Sequence, residues 1–167
     1  MSDEFKRELQ EIGRRLKARR EAKLNAQQDQ LSRVEAAIQW WEKGIASNIK
    51  QAVQEANTAL AEAGVSLACV EGTAGPVDSG ERVGSGIPKT LPKMTITITN
   101  AGGAERVRTT NKQLEFSVRP DGYIAVLPFQ SAVGKSNFSL VEFDKDEIQA
   151  LILAFVRELD YEDDGGR

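Results

Sequence analysis

The fold is decided by residues 3–63, which read DEFKRELQEIGRRLKARREAKLNAQQDQLSRVEAAIQWWEKGIASNIKQAVQEANTALAEA. This stretch contains no proline. A helix of about sixty residues would be about 90 Å long, more than twice the width of a globule built from the remaining residues, which number about a hundred. The sequence therefore predicts a long N-terminal helix, part of which needs a partner outside its own globule.

Apolar residues recur every three or four positions along this stretch, which keeps them on one face of a helix. They form three series: Phe5, Leu9, Ile12 and Leu16; then Leu31, Val34, Ile38, Trp41 and Ile45; then Ile49, Val53, Ala56 and Leu60. The step from Leu16 to Leu31 is one residue more than two heptads. We therefore expect a joint near residues 20–30, as either a break capped by Asn25 or Asp29 or a weakly packed stretch of continuous helix.

The first series is too narrow for a core helix and suits a coiled-coil seam. We call these four residues the seam and predict that they form an interaction surface. The later series are rich in alanine and include Trp41, as expected of a helix that lies on a sheet. Trp40 stands at their edge beside Gly44, either at the rim of the core or as an interface anchor. Gly64 has the position of a left-handed helix stop.

After Gly64 the apolar residues alternate, and the sequence predicts an antiparallel sheet of about five to six strands. The strands are expected at residues 65–69, 94–99, 106–110, 114–118, 123–129 and 137–143. Asp144 and Glu147 predict a capping box for a C-terminal helix packed on the sheet. Because no helical crossover separates the strands, the fold class is α+β.

Three regions follow from this order: a basic helical arm (residues 1–24), an α+β domain (25–160) and an acidic tail (161–167). The domain includes a long stretch rich in glycine and proline, 71–93, which we expect to be a flexible loop. One buried cluster should join the helices to the sheet. Its expected members are Ile38, Trp41, Ile45, Ile96, Phe116, Val126, Leu151 and Phe155.

Charge is distributed unevenly although the net charge is only -3. Residues 1–24 hold eight bases against five acids, whereas residues 144–167 hold eight acids against three bases. The two ends could pair between copies, bind different partners or remain solvated. Five bases form a basic cluster within the arm: Arg14, Arg15, Lys17, Arg19 and Arg20.

The basic cluster is one candidate site, because lysine and arginine neutralise nucleic-acid phosphates. Interleaved Glu8, Glu11 and Glu21, and the lack of an aromatic residue for base stacking, make nucleic acid the less favoured partner. A small-molecule pocket between sheet and helices is a further alternative, near Tyr123, Leu127 and Phe129.

Composition excludes several chemistries. The chain has no histidine and one cysteine, so Ser-His-Asp and Cys-His mechanisms, His-ligated metals and thiolate clusters are absent. We predict no catalytic residues, no metal and no cofactor. No stretch is apolar enough to span a membrane and no signal peptide is visible, so we expect a cytoplasmic location. The leading hypothesis is a non-enzymatic interaction or scaffold protein that forms a homo-oligomer, a dimer being favoured, and binds an unknown protein partner.

Overall fold

The computed structural model describes residues 2–74, 90–100, 113–127 and 137–164. Helix α1 spans Asp3–Trp40 and is followed by a π-helical turn, Trp41–Ile45, and by helix α2, Ala46–Leu60. A short 3-10 turn, Ala61–Ala63, ends at Gly64, whose φ of 70° confirms the left-handed stop. The predicted joint at residues 20–30 is therefore not a break: α1 passes through it as a continuous helix.

The offset between the first two apolar series does not require a break in a straight helix. Fifteen residues are about 4.2 turns at 3.6 residues per turn, so Leu31 is rotated from Leu16 by only about 60°. The heptad count, which assumes 3.5 residues per turn, made the offset look larger than it is. The helix changes its geometry instead at Trp41–Ile45.

The strands form one antiparallel sheet in sequence order, which confirms the α+β fold with a five-stranded sheet. The strands are β1 (Val65–Ala74), β2 (Leu91–Asn100), β3 (Gln113–Val118), β4 (Ile124–Leu127) and β5 (Asn137–Phe138). Helix α3 spans Lys145–Asp164. Asp144 caps it by accepting a hydrogen bond from the N–H of Glu147 at 2.8 Å, as the capping-box pattern predicts.

Several predicted bounds were wrong. Both ends of the stretch expected to be a flexible loop, 71–93, belong to strands, because β1 continues to Ala74 and pairs there with Leu91, and residues 75–89 lie outside the described residues. The last strand ends at Phe138, since Ser139 accepts hydrogen bonds from the N–H groups of Glu142 and Phe143 and turns the chain. The strand predicted at residues 106–110 lies outside the described residues.

The core lies between the helices and one face of the sheet. A single buried cluster contains seven of the eight residues predicted for it, and Ile38 packs against that cluster half-buried. Phe143, from the turn before α3, meets Phe116 of β3 edge-on with ring centroids 5.6 Å apart. The expected packing of the two helical series and α3 on the sheet is thereby confirmed.

Candidate self-association surface

The arm extends beyond the globule. Every residue from Ser2 to Ala26 is exposed, and Gln27 is the first that is partly covered. This part of α1 is about 37 Å long at 1.5 Å per residue. The seam lies along it with a large fraction of each side chain in solvent: Phe5 49%, Leu9 50%, Ile12 50% and Leu16 59%.

Local interactions hold the arm helical. The hydroxyl of Ser2 accepts a hydrogen bond from the N–H of Phe5, and Asp3 and Glu4 place negative charge in the first turn. Further along, Arg15 pairs with Glu11 one turn before it. Such pairs stabilise a helix by only a few tenths of a kcal/mol, roughly 0.2–0.5. The continuation of α1 into the core supplies the rest, because an existing helix extends without a new nucleus.

The seam is on the same side of α1 as the residues that bury themselves in the core. At 3.6 residues per turn, the seam falls within a sector of roughly 80° that also contains Val34, Ala37 and Trp41. Those three residues are 0%, 0% and 5% exposed. The face that packs on the sheet therefore continues past the edge of the globule, where nothing among the described residues covers it.

The edge of the globule is sharply defined along α1. The side-chain nitrogen of Gln30 donates a hydrogen bond to the carbonyl oxygen of Pro120 at 3.0 Å. In the same β3–β4 hairpin, Gly122 lies so close to α1 that an added Cβ would be 2.8 Å from the Cβ of Arg33. The arm therefore leaves the globule just before Gln30, as a direct extension of a helix that is tightly packed from there on.

The basic cluster is exposed in full, as the sequence suggested. Its members do not share one face, however. At 100° per residue, Arg14 and Lys17 point away from the seam, whereas Arg19 is in line with it. The positive charge therefore surrounds the helix instead of forming a single phosphate-binding stripe.

Trp40 is an exposed residue and not part of the core. Its side chain is 52% exposed and lines a cleft of about 410 Å³ between the π-helical turn and the turn that precedes α3. Across the cleft is Val141, which is 83% exposed, and Lys43 and Lys145 also line it. Of the two alternatives for Trp40, this placement favours an interface anchor over the rim of the core. That role stays a prediction.

Two residues of the third predicted site, Tyr123 and Leu127, lie on the face of the sheet opposite the core. Tyr123 and Leu127 are 43% and 49% exposed, whereas Ile124 and Val126 on the opposite face are buried, as is the small Ala125 between them. The reason is the two-residue period of a strand, which places neighbours on opposite faces. Phe129 lies outside the described residues. A binding role for the exposed face stays a prediction.

Sequence reasoning missed the side chain that covers the edge of the sheet. Asn57 of α2 donates to the carbonyl oxygen of Leu67 at 2.9 Å and accepts from its N–H at 2.6 Å. The amide thus pairs with β1 as a neighbouring strand would. No spacing rule relates a helical asparagine to a strand ten residues later, so only the position of Leu67 in the fold reveals the contact.

The described residues offer little for covalent or metal chemistry. Cys69 is half-buried, and burial raises the pKa of its thiol, which disfavours the reactive thiolate at neutral pH. Within the described ranges, no group of three or more cysteine and carboxylate side chains is arranged to hold a metal ion. In the same ranges, no helix combines the length and the apolar character that a membrane span requires.

Comparisons of the chain with protein-family models, with curated proteins and with solved structures found no match.

Proposed function

We propose that the chain is a non-enzymatic interaction protein that associates with itself through the N-terminal helix, most favourably as a dimer. The observation that supports this is the seam. Four large apolar side chains lie in line on a helix that extends beyond the globule, and each has about half of its surface in solvent.

Within the described part of the chain, no side chain packs on the seam. The core cluster runs from Val34 to Phe155 without any residue of the arm. Exposed apolar side chains that stand singly are ordinary, but an aligned row of them marks a surface that another apolar surface covers. A second copy of the same helix offers such a surface at the same spacing, because a coiled coil needs apolar residues at alternating steps of three and four.

The experiment compares the solution mass of the full-length protein with that of a variant lacking residues 2–24. At tens of micromolar we expect a dimer for the full-length protein and a monomer for the truncated one. The melting curve of the truncated variant should still show a cooperative transition, since the deletion removes only exposed residues. A full-length protein that is monomeric at this concentration would refute the proposal.

A matched pair of substitutions tests whether the seam itself is responsible. Ile12→Glu places a charge in the middle of the seam, whereas Leu24→Glu places the same charge on a similarly exposed residue, about 90° around the helix from the centre of the seam. We expect Ile12→Glu to yield a monomer and Leu24→Glu to leave the mass of the assembly unchanged. Dissociation by both would point to a general effect of charge and not to the seam.

Nucleic-acid binding through the basic cluster is the second candidate, supported by the exposure of all five of its members. If it were the function, affinity would fall steeply with salt, and reversing Arg15 and Arg19 to glutamate would abolish it. We expect no measurable binding to a duplex or single strand at 0.15 M salt. A dissociation constant below about a micromolar in that buffer would reverse the ranking of the two candidates.

A further inference from the structure

We propose that two copies pair their arms in antiparallel orientation, so that the two globules lie at opposite ends of the paired helices. This inference rests on the proposed self-association and adds the orientation, the register and the contacts. Two independent observations support it: where the globule lies relative to the seam, and how charge is arranged along the arm.

The position of the globule excludes a parallel pair. In a parallel pair the second helix would lie on the seam side of α1, about 8–10 Å away. It would continue in that direction past Gln30, because α1 is unbroken to Trp40. That space is filled: Gln30 bonds to Pro120 there, and Val34 and Ala37 are buried beneath the helix. A parallel partner would have to occupy the volume of the globule.

An antiparallel pair has the room that it needs. Centring the pair between Gln10 and Glu11 places Leu9 opposite Ile12 of the second copy, and Phe5 opposite its Leu16. Ser2 of the second copy then lies opposite Arg19. At 1.5 Å per residue, it stops about 12 Å before Gln27, the first residue that the globule partly covers. The whole seam is then covered, and the paired helices end short of the described residues of either globule.

The charges along the arm favour the same orientation. Residues 3–11 hold four acids and two bases, whereas the five bases of the basic cluster fall within residues 14–20. An antiparallel pair brings the acidic half of each arm against the basic half of the other. The positions beside the seam favour the same orientation. Glu8 of each copy meets Arg15 of the other, so this contact of opposite charges forms twice in the dimer. In a parallel register, Arg15 would meet Arg20 of the other copy, which is repulsive.

Charge reversal separates the two orientations. In the antiparallel pair, Glu8→Arg and Arg15→Glu each create two repulsive contacts, and each should raise the dissociation constant about tenfold. Mixing the two variants should restore assembly, because one contact of the mixed dimer then joins the two reversed charges and the other keeps the original pair of Glu8 and Arg15. A parallel pair predicts the opposite for Arg15→Glu, which would associate more tightly by removing the clash with Arg20.

Arg14→Glu is the matched control. It makes the same change of charge at the neighbouring position, but Arg14 points away from the seam, so its dissociation constant should stay close to that of the unchanged protein. Failure of the mixture of Glu8→Arg and Arg15→Glu to form a mixed dimer, together with tighter assembly by Arg15→Glu, would overturn the antiparallel orientation.

A distance measurement decides the orientation directly. A spin label is placed at Leu24→Cys, an exposed position off the seam, in a chain where Cys69→Ser has removed the native thiol. The antiparallel register separates the two labels by about 40 Å along the axis, whereas a parallel pair brings them within about 20 Å. A dimer with the short distance overturns the orientation and leaves self-association standing. A monomer overturns the proposed function and this inference with it.

Discussion

Gly122 is the residue at which the sheet meets the long helix. Its φ is +85°, a conformation that favours glycine, and an added Cβ would be within 3.0 Å of both the Cβ and the backbone of Arg33. The hairpin could relieve that contact only by moving away from α1, which would break the hydrogen bond between Gln30 and Pro120. The point where the arm leaves the globule therefore depends on a missing side chain.

We expect Gly122→Ala to lower the free energy of unfolding by about 2 kcal/mol, because backbone strain and the clash with Arg33 add. Chemical denaturation measures it. Gly13→Ala is the control, since an added Cβ there meets nothing within 4 Å and the change should raise stability slightly or leave it unaltered. Equal stability of both variants would show that the hairpin is not held against the helix.

Asn57 protects the open edge of the sheet at Leu67. Asn57→Ala should cost about 1–2 kcal/mol, because two hydrogen bonds are lost at partly buried groups. It should also increase light scattering on heating, since an edge strand with free N–H and C=O groups pairs with other chains. Asn57→Asp keeps the acceptor and loses the donor, so an intermediate loss is expected. If Asn57→Ala left both stability and scattering unchanged, the amide would have no protective role.

Among single residues, those with a local sequence signature could be predicted, whereas those that act through a contact distant in sequence could not. The helix stop at Gly64 and the cap at Asp144 follow from local rules, and both were found. The hydrogen bonds between Asn57 and Leu67 join positions ten residues apart. The close approach of Gly122 to Arg33 joins positions about ninety residues apart. Neither has a local signature, because each depends on where the finished fold brings the two segments.

Among the elements, the π-helical turn at Trp41–Ile45 sets the direction of the helices. Trp41, Ile45, Ile49 and Val53 are each four residues apart, and every one is buried. On a regular α-helix, each step of four turns the face by about 40°, so Val53 would be about 120° away from Trp41. A π-helical turn takes more residues per revolution, which reduces this rotation across Trp41–Ile45.

Deleting Gly44 tests this account. The loss of one residue either removes the π-helical turn or rotates α2 by about 100° relative to α1, and in both cases the buried face breaks. We expect a loss of about 3 kcal/mol in chemical denaturation. Gly44→Ala keeps the length, and its Cβ meets nothing within 4 Å, so its stability should be equal or higher. A deletion variant as stable as Gly44→Ala would show that the turn does not align the helices.

The order of the elements could be predicted because the periodicity of the sequence changes at Gly64 and the predicted strands follow one another without a helical pattern between them. The π-helical turn was missed although its signal, three successive steps of four, is visible in the sequence. The bounds of β1 were missed for a different reason. Glu71, Gly72 and Thr73 have no alternating pattern of their own and become a strand by pairing with residues 92–94.

For the whole molecule, the arm and the acidic tail give two models of assembly that one truncation separates. If arms pair with arms, the protein should remain a dimer after residues 160–167 are removed. If the basic cluster instead binds the tail of another copy, the same truncation should yield a monomer, because it removes most of the acidic residues that the cluster would bind. The few charges that remain attract too weakly to hold two copies together. High salt is a weaker test, since it weakens the flanking charge contacts between paired arms as well as those with the tail, exposed charges losing most of their attraction beyond about 10 Å at 0.1 M.

The candidate surface was predictable in its residues and not in its geometry. The spacing of Phe5, Leu9, Ile12 and Leu16 predicted a seam before any fold was known. The seam continues the core-facing side of α1, but this could be recognised only once the position of the globule was known. A sequence pattern shows which residues share a face of a helix and does not show what packs against that face. The antiparallel orientation depends on that additional fact.

The continuity of α1 has a further consequence for how folding and assembly are coupled. Most of a helix's stability in a protein comes from tertiary packing, and residues 2–26 are exposed, so the arm owes much of its shape to the folded globule from which it extends. Only a folded copy then offers an ordered seam. Pairing therefore stabilises the folded state relative to the unfolded state. The melting temperature should therefore rise with protein concentration, and this dependence should vanish in the variant lacking residues 2–24. A melting temperature independent of concentration would mean that the arm forms and pairs without regard to the state of the globule.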